Sequence, residues 1–196
     1  MDKLSIVIVS AGVNLWDRLT IPAVDGLREF CDPRDEIIVV DNGGLGRGDV
    51  NIDTLVPFAT AYNAGARAAS GDRLLLINND IIVSGPYRQY LGNAPLEGPD
   101  LWNPHGGWLA GWLISIHRGL WDLLGGFDEQ FRNSFEDVDF CWRAQRLGFA
   151  LHVTDKLPIE HLHGRTRRAL KDIAEAPHDR NKELFYQKVR RMEMVC

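Results

Sequence analysis

The chain has 196 residues, 45% of them hydrophobic and 25% charged, and a net charge of −5; this is the size of one compact domain, and the composition excludes disordered and fibrous classes. Cys31, Cys141 and Cys196 lie far apart without a CxxC pair, which excludes a disulfide scaffold, a zinc finger or a redox motif and suits reduced thiols in the cytoplasm. The apolar run 4–9 is too short for a signal sequence or a membrane span, so no transmembrane segment is expected.

Residues 4–10 (LSIVIVS) and 36–41 (EIIVVD) are β-branched runs ending in polar or glycine-rich loops, as buried parallel strands do. Residues 15–30 between them predict a crossover helix, with Pro22 dividing it or setting its first turn. A flexible stretch, 42–49, leads to a weakly extended segment at 55–59, a short helix over 63–69 and a strand over 73–78. This alternation predicts an α/β domain with a Rossmann-like, mostly parallel central sheet flanked by helices, its strand ends converging on one edge.

After Asp80, Gly85, Pro86, Gly92, Pro95, Gly98, Pro99 and Pro104 punctuate a stretch read as mostly loop and short helix. A strand over 108–117 follows, then a helix over 118–124 closed by Gly125 and Gly126, a helix over 136–147 closed by Gly148, and a strand over 150–154. Helical patterns over 167–175 and 179–194 flank Pro177. Residues 165–196 carry nine Lys/Arg against five Asp/Glu, so the tail is basic while the rest of the chain is acidic. That tail could meet phosphates, or it is a solvated mixed-charge helix.

Four groups carry candidate chemistry. Asp41 ends its strand before Asn42-Gly43-Gly44, where an acceptor-only carboxylate suits the imide N–H of uracil or thymine; alone it also reads as a turn residue. Asp80 closes Asn78-Asn79-Asp80 after an apolar strand. It is a hard oxygen ligand for Mn²⁺ or Mg²⁺ placed where a diphosphate would lie, or part of an ordinary turn. Glu136 and Asp137 open a helix, a common place for helix-capping acids and equally for a general base. His161 and His163, at i and i+2 of an extended segment, face one side as metal ligands would, or are simply polar surface. Tyr87, Tyr90 and tryptophans such as Trp108 and Trp112 could offer stacking surfaces for a sugar or base, though most tryptophans belong to cores.

Taken in order, LSIVIVS, EIIVVDNGG, Asn63-Ala64-Gly65 with Ala66 and Gly71, LLLINND, GWLISIHR, GGFDEQF, FEDVDFCWRAQRLGF and HLHGRT resemble glycosyltransferase family 2, inverting enzymes of the GT-A fold, across residues 4–166. The resemblance implies one GT-A-like domain over 1–166, with a nucleotide-sugar half of about 1–80 and an acceptor half of about 81–166, and a helical tail, 167–196, packed on it. It places Ser10 and Asp41 on base and ribose, with Asn63 and Arg67 beside that pocket. Asp80 would hold the metal, with Asn78 replacing a first aspartate often found in the family. Asp137 matches the base, with Glu136 as its neighbour toward the acceptor. His161 completes the metal or diphosphate site, and Thr166 touches phosphate.

Two departures stand out: Ser10-Ala11-Gly12 replaces an aromatic residue common in the family, and the 30 residues between Asp80 and Gly111 form a short acceptor side. The expected reaction moves a sugar from a UDP- or dTDP-sugar to a saccharide or glycan hydroxyl. An alternative acceptor is a hydroxymethylated base in DNA, which the basic group Arg165, Arg167, Arg168 and Lys171 would serve. A nucleotide-sugar binding protein or a nucleotidyltransferase is the third reading, although the glycine-rich basic loop of the latter is missing after the first strand.

Overall fold

The computed structural model describes residues 2–12, 15–100, 107–154, 156–169 and 177–194. Strand β1 (Leu4–Ala11) is buried along its whole length, as a β-branched run covered on both faces must be. It pairs in parallel with β2 (Glu36–Asn42) on one side and β4 (Arg73–Asn78) on the other. β3 (Val50–Ile52) extends the sheet in parallel beyond β2. Past β4 the sheet turns antiparallel through β7 (Leu113–His117) and β6 (Leu96–Gly98), and β8 (His152–Val153) closes it parallel to β6. The order is β3-β2-β1-β4-β7-β6-β8. Chain progression reverses between β1 and β4, which opens a crevice at their carboxyl ends.

One face is covered by α1 (Ile21–Glu29), whose Ala23, Val24 and Leu27 meet Ile6, Ile8 and Leu75. Pro22 sits in the first turn of α1, where its missing N–H costs nothing, after a π-helical turn, Trp16–Thr20. A two-stranded sheet of β5 (Ile81–Val83) and β9 (Ile159–His161) lies on the same face, through Ile81 and Ile159. The other face carries α2 (Phe58–Ala68), α3 (Arg118–Leu124) and α4 (Glu136–Arg146), with Tyr62, Trp121 and Phe140 packed over Val7, Val9 and Leu76.

Beyond β9, α5 (Arg165–Ala169) is short, and the remainder of the helix expected over 167–175 lies outside the described residues. Helix α6 (His178–Glu193) docks by Phe185, edge-on to Trp108 and Trp142, and by Lys188, whose Nζ lies 2.8 Å from Asp128 and 2.6 Å from Asp139.

Several local expectations are corrected. Residues 55–59 are not a strand: the extended segment is β3, and Phe58 already begins α2 behind Pro57. The strand expected over 108–117 narrows to β7, with Gly111 and Trp112 in a turn. The stretch read as loop holds β5 and a fully buried β6 around a 3-10 turn, Arg88–Tyr90.

Candidate active site

Asp80 is fully buried just past β4. The β5–β9 ladder pairs Ile81 with His161, and this brings the histidine over the carboxylate: His161 Nε2 is 3.2 Å from Oδ1, while Oδ2 accepts from the Arg165 N–H at 2.8 Å. Burial pushes the Asp80 carboxyl up, but the hydrogen bond and charge of His161, with the Arg165 N–H, outweigh it and hold the group below its ordinary value. Asn78 Nδ2 is 3.4 Å from the same Nε2, and Asn78 Oδ1 accepts from the Tyr62 hydroxyl at 3.1 Å. The His161 ring stacks on Trp112 at 4.9 Å with 3° between planes, and His163 meets it edge-on at 5.2 Å.

The oxygen of Asp80 and the nitrogen of His161 suit a divalent cation. Ligands about 2.1 Å from one octahedral ion lie about 3 Å apart at neighbouring corners, close to the 3.2 Å found here. Among the described residues no group of three or more His, Cys, Asp or Glu could hold a metal. Two protein ligands completed by substrate phosphates is the usual arrangement for such an ion.

A buried relay runs beneath this pair. Thr166 Oγ1 donates to Asn79 Oδ1 at 2.6 Å, Asn79 Nδ2 to Thr20 Oγ1 at 3.0 Å, and Thr20 Oγ1 to Ser10 Oγ at 2.7 Å. Ser10 and Thr166, expected to touch the donor, are thereby turned inward, where they brace the Asp80 turn. Asn79, named in the sequence only as the middle of Asn78-Asn79-Asp80, lies in the bend just past β4 and joins Thr166 to Thr20. Asp41 is buried beside Ser10 in the β1–β2 register, with Oδ2 accepting from the Arg47 N–H at 3.2 Å.

The second carboxylate belongs to α4. Its N-cap, Phe135, has φ +70° and no side-chain cap. Asp137 Oδ2 accepts from the Gly111 N–H and Oδ1 from the Val138 N–H, both at 2.9 Å. Burial pushes the Asp137 carboxyl above its ordinary value, and those backbone bonds only partly offset it. Glu136 and Asp80 both act on Tyr62: burial first, then these two charges, push the phenol up, so both carboxylates lie within electrostatic reach of one hydroxyl. Asp139, two residues on, is fully buried and held by Arg143 Nε at 2.7 Å and Lys188 Nζ at 2.6 Å; it is structural.

One dipeptide joins the two half-sites. Gly111 binds Asp137, while Trp112 stacks on His161 and its carbonyl accepts from the Asn78 N–H at 2.8 Å.

Asn63 and Arg67 are not brought to this cluster. The Asn63 amide is committed to Phe127 and Glu129, donating to Phe127 O at 2.9 Å and Glu129 Oε1 at 2.8 Å and accepting from the Phe127 N–H at 3.0 Å. Arg67 is exposed on a groove lined by Trp121, Asp122 and Gly125. Arg118 binds the carbonyls of Ala66 and Ala69, and the β4–β7 pairing sets Arg73 against His117. The end of α2 therefore lies at the start of β4, roughly 15–20 Å from Asp80 at a strand's rise per residue. Tyr87 is core, its hydroxyl donating to Leu27 O, and Trp108 is partly covered by α6. Of the basic group, Arg165 and Arg168 are exposed, whereas Lys171 and the Arg167 side chain lie outside the described residues.

No family model and no curated protein matches the sequence. Solved structures do. A mannosyltransferase from Pyrobaculum calidifontis, in complex with GDP-Man and Mn²⁺, is similar at TM-score 0.61 and 15% identity over 80% of this chain, which spans 57% of that one. The catalytic domain of Drosophila β1,4-galactosyltransferase 7, in complex with xylobiose, is similar at TM-score 0.66 and 16% identity, with 95% of this chain and 80% of that one covered. Glucosyl-3-phosphoglycerate synthase from Mycobacterium tuberculosis, with Mn²⁺, UDP and phosphoglyceric acid, is similar at TM-score 0.63 and 15% identity, with 86% and 73% covered. At these identities the likeness establishes architecture, and the chain has the GT-A fold of these glycosyltransferases.

Proposed function

We propose that the chain is an inverting glycosyltransferase, akin to family 2, that moves a sugar from a UDP- or dTDP-sugar to a saccharide hydroxyl. The observation that carries the reading is the pair of carboxylates, fully buried Asp80 held low beside His161 and half-buried Asp137 held high on α4, tied together by Gly111-Trp112.

Asp137 takes the proton from the acceptor hydroxyl as that oxygen attacks the anomeric carbon; the bond to the diphosphate breaks on the opposite face and the configuration inverts. A raised carboxyl value brings the base closer to the operating pH, which favours this transfer. Glu136 faces the acceptor as its neighbour. Asp80 and His161 would hold Mn²⁺ or Mg²⁺, which would supply positive charge against the departing diphosphate. Asp41 accepts the imide N–H of the base, and the relay from Ser10 to Thr166 keeps the Asp80 turn rigid.

Among the described residues no helix is long and apolar enough to cross a membrane, and the dispersed cysteines suit a reducing cytoplasm. A thermal-shift panel of UDP-, dTDP-, GDP- and CMP-sugars with and without Mn²⁺ tests the reading. UDP- or dTDP-sugars should raise Tm only with the metal, a ligand at 100 times its Kd stabilising by about 2.7 kcal/mol. A panel in which no nucleotide sugar responds to Mn²⁺ would overturn it.

A further inference from the structure

We propose that Gly111 is the positioning residue for the base: its N–H anchors Asp137 Oδ2, and its missing side chain is the space that the carboxylate fills. The inference rests on Asp137 being that base. A Cβ at position 111 would lie 2.7 Å from Asp137 Oδ2 and 3.0 Å from its Cβ and Cγ. Real Cβ atoms do not approach so closely, and the obstacle is not the loose end of a long side chain. The other carboxylate oxygen is tied to the Val138 N–H at 2.9 Å, so the group cannot swing aside without losing a bond.

Gly111 is not among the glycines with left-handed φ. Its backbone is open to any residue; space, not conformation, selects glycine. The main chain has little freedom to retreat, because the next residue, Trp112, is held through its carbonyl by the Asn78 N–H at 2.8 Å and through its ring by His161. Substitution at 111 therefore falls on the carboxylate. Gly111→Ala keeps the N–H but moves Oδ2 away from it, and displacement on the scale of an ångström costs on the order of 10² in rate.

Two double-mutant cycles test this. In turnover of the UDP- or dTDP-sugar that gives the largest thermal shift, Gly111→Ala should lower kcat on the order of 10–10²-fold with donor KM within about twofold, and should cost nothing further on an Asp137→Asn background, because residues acting as a unit are not additive. In thermal unfolding, Gly111→Ala should lower Tm by several °C alone but by less than about 1 °C when added to Asp137→Ala, which removes the obstacle. If Gly111→Ala does not fold alone, recovery on the Asp137→Ala background is the supporting result. Unchanged kcat, or the same Tm loss in both backgrounds, would overturn the proposal. Should Asp137→Asn itself keep near wild-type turnover, the base reading fails, and the unfolding cycle still decides whether Gly111 makes room for the carboxylate.

Discussion

The turn after β4 and the first turn of α4 each hold a carboxylate, fully buried at Asp80 and half-buried at Asp137, and they treat it in opposite ways. Asp80 meets the His161 ring and the Arg165 N–H, which outweigh burial and keep it anionic. Asp137 accepts from backbone N–H groups, which only partly offset burial, so its carboxyl stands above its ordinary value. Two groups of one chemical type whose values are pushed apart can divide labour, one as a permanent ligand and one as a proton acceptor. Asp139 provides the control: sharing a helix turn with Asp137, it is fully buried and paired with the charges of Arg143 and Lys188.

Breaking the comparison at Asp137 should have the largest effect. Asp137→Asn keeps the shape and removes the base, so kcat should fall on the order of 10²- to 10⁴-fold while donor affinity by calorimetry stays near normal. Near wild-type kcat would return Asp137 to a helix-terminus role. Asp80→Ala breaks the other side. Donor binding should lose its Mn²⁺ dependence and weaken on the order of 10- to 100-fold, a range seen even for residues that merely support a metal site; calorimetry with unchanged affinity and unchanged metal dependence would sink the assignment.

The first half of the chain was more legible in the sequence than the second. β1, β2 and β4 are short apolar runs rich in β-branched residues or leucine, bounded by polar and glycine-rich loops and buried over most of their length, a pattern that length and flanks assign to strands. β5, β6 and β9 have three residues each, too few for any period, and β9 matters only through pairing with β5 across the chain. Asp41, Asp80, Asp137 and His161 stand at strand ends or a helix start and could be read there. A helix was expected to start at Asn63; α2 starts at Phe58, so Asn63 lies more than a turn inside it and its amide holds Phe127 and Glu129. Gly111 was invisible as a site residue, since its role is the space left beside a side chain 26 positions later.

The control carboxylate yields the next effect in size. Removing one partner of a buried ion pair costs about 3–5 kcal/mol. Arg143 would still hold one oxygen of Asp139, so about 2 kcal/mol is expected for Lys188→Met, which a domain of this size shows as a Tm loss of about 4–8 °C. Donor affinity should not change, because Lys188 reaches Asp128, Asp139 and the Phe131 ring, none of which is in the Asp80–His161 cluster. An unchanged Tm would mean that Arg143 alone satisfies the buried charge and that α6 is fastened by Phe185.

The smallest effect sharpens the comparison most directly, through the pH dependence of stability without metal. An unfolded aspartate titrates near pH 3.9. Asp80 has a lowered value in the folded state, so its carboxylate contributes stability above that unfolded value and loses it as pH falls through the lowered one. Asp137 has a raised value, so the folded state is favoured below the unfolded value and loses that advantage as pH rises through the raised one. With EDTA present, Asp80→Asn should therefore lower Tm at pH 7 and still at pH 4, the penalty shrinking only below that as pH falls through the lowered value. Asp137→Asn gives up one acceptor, since its amide NH2 cannot accept from the Gly111 or Val138 N–H, but its Tm relative to the native chain should rise from pH 4 to pH 7, because it lacks the charge whose burial penalty sets in over that range. Each kcal/mol appears as about 2–4 °C in a domain of this length, well within calorimetric precision. Tm differences that move the same way with pH for the two variants would mean that the carboxylates share one environment, and the division of labour between ligand and base would lose its physical ground.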